Sequence, residues 1–209
     1  MTKSIEKVAM TLAKWLMPLC LLTVVPLISC EEDDDDDDTS GEFDNWKQRN
    51  DEVLAQWASD PTLKKIKNYA LNENANPGTT DYIYVKVLEE GPVNDTPLLT
   101  DTVRIAYRGR LIPTKTYDEG LVFDQSYLNV FNWDTAYPAQ GASWVAGVQT
   151  ALLQMHVGDR WLIHIPYQLA YGASSSSNNI PEYSNLIFDV ALFDFWHPGE
   201  SRPVFKVRK

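Results

Sequence analysis

The stretch Val145-Ala146-Gly147-Val148-Gln149-Thr150-Ala151-Leu152-Leu153-Gln154-Met155, followed after a turn by Arg160-Trp161-Leu162-Ile163-His164-Ile165, decides the fold. Val145, Val148, Leu152 and Met155 recur at spacings of three, four and three, which places them on one face of a helix. Trp161, Ile163 and Ile165 then alternate with Leu162 and His164, the period of a strand. His164 falls on the face opposite Ile163 and is expected to be a surface or half-buried side chain. The same period-two pattern occurs three more times: Ile83, Val85 and Val87; Val103, Ile105 and Tyr107; and Leu186, Phe188, Val190 and Leu192. One short helix among several strands predicts an α+β fold, an antiparallel β-sheet wrapped around one short central helix.

Residues 43–71, ahead of the first strand, read as a helical segment. Phe43, Trp46, Val53, Leu54 and Trp57 fall close to one helical face. Asp60-Pro61 marks a break, with Asp60 as a cap and Pro61 in the first turn of a restarted helix. The apolar stripe has to pack on the following domain or on a second copy of itself. Residues 72–80 are a loop by composition. The organisation expected is a helical segment and loop over 42–80, a folded domain over 81–197 and a tail over 198–209.

The N-terminus is a different kind of sequence. Lys3, Lys7 and Lys14 precede an apolar run over residues 15–28, interrupted by Pro18 and Pro26. As a helix it would span about 21 Å, against about 30 Å for a bilayer core, so residues 1–29 read as a secretory signal rather than a permanent span. The run ends in Leu27-Ile28-Ser29-Cys30, which resembles the lipobox of bacterial lipoproteins. That resemblance implies lipidation of Cys30, a membrane anchor through the lipid, and a mature chain beginning there. Eight consecutive acids follow, Glu31 to Asp38, an extended and solvated tether over 30–41. Acids directly after a lipidated Cys resemble the surface-export signal of Bacteroidetes-type lipoproteins. The expected location is the bacterial outer membrane, with the chain facing either the cell surface or the periplasm.

The formal charge of the 209-residue chain is −11, which excludes nucleic-acid binding driven by net electrostatics. Two cysteines, Cys20 and Cys30, provide neither a disulfide framework nor a thiolate zinc site, and three histidines leave a His-rich metal centre unexpected. No metal or cofactor is expected.

Five segments in order, over about 115 residues, resemble the FK506-binding-protein (FKBP) type of peptidyl-prolyl cis-trans isomerase. They are Val103-x-Ile105-x-Tyr107-x-Gly109; Gly120-Leu121-Val122-Phe123-Asp124-Gln125-Ser126; Val145-x-Gly147 with the helix to Met155-His156-Val157-Gly158-Asp159-Arg160; Ile165-Pro166-Tyr167-Gln168-Leu169-Ala170-Tyr171-Gly172; and Ile180-Pro181 with Ser184-Asn185-Leu186-Ile187-Phe188-Asp189-Val190. The resemblance implies a proline pocket walled by Tyr107, Phe123, Val145, Val148, Ile180 and Phe188. It implies a carboxylate beside the pocket at Asp124, held by a phenol such as Tyr107, and a phenol at Tyr171 that donates to a substrate carbonyl. It also implies proline-containing polypeptides as substrates and an FK506-like macrolide as a ligand. Val148 stands where the family has Trp or Leu at the pocket floor, and Trp144 where a small aliphatic residue is usual. Phe131-x-Trp133 is the candidate for the pocket-edge aromatic, and residues 174–179 for a flexible tip over the site.

Two functions of different class follow. One is an isomerase assisting the folding of exported proteins; the other is a non-catalytic peptide-binding or chaperone module using the same pocket. A glycan-binding surface lipoprotein rests only on the aromatic stretch Tyr127, Phe131, Trp133 and Tyr137.

Overall fold

In chain order the elements are α1 (Trp46–Ser59), β1 (Lys64–Lys67), β2 (Tyr82–Glu89), β3 (Thr102–Leu111), β4 (Val122–Gln125), β5 (Tyr137–Gln140), α2 (Ala146–Leu152), β6 (Arg160–Ile165) and β7 (Leu186–Trp196), with short 3-10 turns between them. The computed structural model describes residues 41–92, 95–174, 179–201 and 204. The expected signal, Cys30, the acidic run, most of the expected loop tip and most of the tail lie outside the described residues. No helix among the described residues is long and apolar enough to cross a membrane.

All strand pairs are antiparallel, in the order β1-β2-β6-β7-β3-β4, and β5 pairs with the other half of β3. The four strands expected from alternation are β2, β3, β6 and β7, and they form the middle of this sheet. On β6 the alternation matches burial: Trp161, Ile163 and Ile165 are buried while Arg160, Leu162 and His164 are only half-buried. Helix α2 lies against these inward residues. Val148, Ala151 and Leu152 are buried on it, and Met155 just beyond its end is fully enclosed. Each large apolar side chain so enclosed contributes about 1.5–3 kcal/mol. The contact is close because Gly147 has no side chain. A Cβ there would collide with the side chain of Ile165.

Residues 43–71 are not one interrupted helix. The Asp60 carboxylate accepts hydrogen bonds from the Thr62 amide (2.8 Å) and hydroxyl (2.7 Å), which makes a turn rather than a helix start. The chain then runs extended as β1, with Lys64 opposite Val85 and Lys67 opposite Tyr82. Helix α1 docks its stripe, Trp46, Leu54 and Trp57, into the same hydrophobic core as the sheet. A boundary at residue 81 therefore separates two paired strands and strips a helix from the core.

His164 sits at that seam. Its ring lies 4.9 Å from the ring of Trp57, and Nδ1 donates to the Tyr84 carbonyl at 2.9 Å. Burial lowers its pKa from the ordinary 6.5. A neutral histidine is thus favoured by folding, and this contribution is present above about pH 6.5 and lost as pH falls through the lower folded value. His197 has the opposite sign. Its hydrogen bond to Asp101 raises its pKa, so its contribution is present below about 6.5 and lost as pH rises. Between about pH 7 and pH 5 the melting temperature of the wild type is expected to fall more steeply than that of His164→Gln, because His197 acts equally in both. Thermal melts across that range check this, and parallel profiles would count against it.

Candidate active site

The β3–β4 pair delivers the first side chains. Tyr107 points inward from β3, and Ser126 clamps β4 to it: the Tyr107 amide donates to Ser126 Oγ (2.9 Å), and the Ser126 amide to the Tyr107 carbonyl (2.8 Å). That sets Asp124 opposite Gly109, and on the other side of β3 the ladder sets Phe188 opposite the same glycine. A Cβ at Gly109 would lie 2.7 Å from the ring of Phe123 and 2.8 Å from that of Phe188. The missing side chain lets those rings meet edge to face, with centroids 5.6 Å apart. Trp144, just ahead of α2, stands edge-on to Tyr107 at 4.7 Å and to Phe188 at 6.4 Å.

These rings surround a cavity of about 720 Å³. Of the expected site residues, Tyr107, Phe123, Asp124, Val145, Tyr171, Ile180 and Phe188 all line it. Its polar element is a short relay of hydroxyls. Tyr107 donates to Asp124 Oδ2 at 2.7 Å, and Tyr137 donates to the Tyr107 oxygen at 3.1 Å. Burial, then the bonds to Tyr137 and Asp124, push the Tyr107 pKa far up, so the phenol keeps the proton it donates to Asp124. Asp124 is exposed, at the cavity's rim, and Tyr171 is partly exposed. Among the described residues no group of three or more His, Cys, Asp or Glu side chains is placed to hold a metal ion.

Two expectations are corrected. Val148 does not line the cavity; it is completely enclosed in the core on α2. The aromatic surface comes instead from Trp144, whose indole reaches Tyr107 and Phe188 from outside the helix. Phe131 and Trp133 do not line the cavity either. They continue a chain of edge-to-face rings from Tyr127 to Phe193, and the Arg160 guanidinium sits 3.7 Å from the centre of the Phe131 ring. Arg160 is held by both oxygens of Asp189, which also accepts from the Tyr127 hydroxyl. The edge aromatic is Tyr137. It and Ala139, two residues on along β5, both line the cavity, a period-two signal too short to read beside Pro138.

Residues 94–193 match the model of the FKBP-type peptidyl-prolyl cis-trans isomerase family. This segment belongs to the FKBP family. The chain is 33% identical over 132 residues to the FKBP-type 22 kDa peptidyl-prolyl cis-trans isomerase of Escherichia coli, covering 63% of this chain and 58% of that protein. It is 38% identical over 107 residues to the peptidyl-prolyl cis-trans isomerase Mip of Coxiella burnetii, covering 51% and 42%. A crystal structure of a peptidyl-prolyl cis-trans isomerase from Pseudomonas syringae shares the fold, with a TM-score of 0.55 at 23% identity, covering 73% of this chain and 95% of that one. The chain spans little more than half the length of the E. coli relative and less than half of the Coxiella one.

Val148 is fully enclosed on α2, so an indole in its place has no room. Val148→Trp is expected to overpack α2 against β6 and lower stability by about 1–3 kcal/mol without raising pocket activity. Denaturant melts and an isomerase assay on the same preparation check this. A gain in activity with unchanged stability would mean that the cavity reaches Val148 after all.

Proposed function

We propose that this protein is a peptidyl-prolyl cis-trans isomerase acting on exported polypeptides, tethered to a membrane through lipid on Cys30. One observation carries the catalytic reading: an aromatic box of Tyr107, Phe123, Trp144 and Phe188 with one carboxylate, Asp124, held at its rim by the Tyr107 hydroxyl. Rotation about a peptide bond faces about 18–20 kcal/mol because the planar bond delocalises nitrogen density onto oxygen. The twisted state has lost that delocalisation, and its carbonyl is less polar. Apolar walls therefore bind the twisted prolyl bond better than the planar one, which is differential binding without a nucleophile. Tyr171 donates to a substrate carbonyl, and Asp124, oriented by Tyr107, presents negative charge beside the ring. Phe123, Val145, Ile180 and Phe188 receive the proline side chain. An FK506-like macrolide occupies the same box and competes with peptide.

A cis-to-trans assay on several short Xaa-Pro peptides tests this directly. Tyr171→Phe keeps the ring and removes one donor, an expected loss of about 0.5–1.5 kcal/mol, or about two- to twelvefold in kcat/KM. Asp124→Val is expected to cost at least as much, with a modest fall in melting temperature, because the carboxylate is exposed but the buried Tyr107 hydroxyl loses its acceptor. A well-folded wild type with no rate above background on any peptide would overturn the enzyme reading. The pocket variants would then be scored on peptide affinity, as for a non-catalytic binding module.

The anchor rests on the signal-like run, the lipobox-like tetrapeptide and the acidic tether. It places the domain on the bacterial outer membrane, on the surface or the periplasmic face. Cys30→Ala is expected to shift the protein from the membrane fraction to the soluble or unprocessed one. Mass spectrometry of the wild type showing an intact Met1 terminus and no lipid would refute it.

A further inference from the structure

The cavity wall that carries Tyr171 and Ile180 is not a central strand. It belongs to the connection between β6 and β7, and its fastening comes from α1, outside the segment that matches the family. The Asn185 amide donates to Asn50 Oδ1 at 2.7 Å, and Asn185 Nδ2 to the Asn50 carbonyl at 2.6 Å. Both asparagines are fully buried. Asn185 Oδ1 in turn accepts the Tyr167 amide at 2.9 Å, and the Tyr167 carbonyl accepts the Gly172 amide at 2.8 Å. One turn earlier on α1, Trp46 Nε1 donates to Ser184 Oγ at 2.9 Å, and that hydroxyl donates to the Pro181 carbonyl at 2.6 Å. Asn50 Nδ2 closes the set on the Trp46 carbonyl at 2.7 Å. The two routes meet where the Tyr183 amide donates to the Gly172 carbonyl at 3.1 Å. Tyr183 is held there at φ 59°, a left-handed conformation that a tyrosine keeps only when its surroundings impose it.

We infer that α1 is a brace for the substrate wall, and that Trp46 and Asn50 are positioning residues: through Ser184 and Asn185 they hold Ile180 and Tyr171 at the cavity. The activity side of this inference rests on the isomerase reading. Buried bonds of this kind are expensive to leave half made, so removing one partner lets the wall shift rather than leaving a bare donor. Trp46 lies about as far along the chain from Tyr171 as any residue of the folded part does, which is why no local pattern exposes the link.

The test uses the full chain with Trp46→Phe and Ser184→Ala, which break the same link from opposite sides, and Trp57→Phe as a control on the same helix. Trp57 packs on His164, away from the wall. Trp46→Phe and Ser184→Ala are each expected to lower kcat/KM about two- to tenfold. The double variant is expected to lose no more than the worse single one, since one link is lost only once. Trp57→Phe is expected to lower the melting temperature but keep kcat/KM within about twofold of wild type. Independently of activity, Trp46→Phe is expected to speed amide hydrogen exchange at Gly172 and Tyr183 while leaving Ile163 and Val190 in the sheet protected. Activity loss that simply follows melting temperature across all three variants, or exchange that rises equally over loop and sheet, overturns the brace. If the wild type is inert, the isomerase reading falls, and the exchange measurement still decides the brace.

Discussion

The ten-residue ladder between β3 and β7, from Thr102 opposite Trp196 to Leu111 opposite Leu186, is the constraint on which the rest is built. In an antiparallel pair the register fixes which side chains share a face, and a slip of one residue would reverse them all. This register sets Tyr107 beside Val190 and Phe188 beside Gly109, so one strand brings the phenol and its neighbour brings the ring to the same cavity. β4 and β5 have no sheet without β3: each pairs with a different half of it, and they contribute Asp124 and Tyr137. The hydroxyl relay from Tyr137 through Tyr107 to Asp124 thus spans three strands that meet on β3, the same strand the ladder fixes against β7.

The central strands and α2 were legible because half-burial writes itself into the chain as alternation. Trp161, Ile163 and Ile165 on β6 bury one face in this way, whereas on β3 the alternation of Val103, Ile105 and Tyr107 marks the strand although Arg104 and Ala106 between them are buried too. Most of the pocket lining was legible as well, through the resemblance of the ordered segments rather than through periodicity. What failed shares a physical cause. Asp60-Pro61 suits a helix start and a turn equally, and the outcome depended on whether the Asp60 carboxylate met Thr62 or a helix amide. Lys64-Lys65-Ile66-Lys67 carries no alternation of polarity, because a lysine stem covers apolar surface while its ammonium stays in water. Such a strand is specified by its partner, Tyr82 to Val85, and not by itself.

Val148 and Trp144 illustrate the same limit at the site. Position along a motif says which backbone faces a pocket, yet whether a side chain reaches it depends on length and on what already stands there. A valine on α2 stops in the core. An indole at Trp144 lines the cavity from a residue outside the helix, so an aromatic wall is kept while its origin moves. The asparagines 50 and 185 were unreadable for a related reason. A buried amide pair gives no periodic signal, and its two halves are 135 residues apart.

β1 ends the sheet on one side, and of its four residues three are lysines. Lys64 lies over the ring of Trp161 and Lys65 over that of Tyr84, so their stems lie along opposite faces while their charges remain outside. The open backbone of an edge strand is a template on which a stranger chain can polymerise, and clustered ammonium groups repel that approach. The lysine border therefore guards this edge of the sheet against pairing with another extended chain, and the open backbone of β1 does not become a second place to bind one.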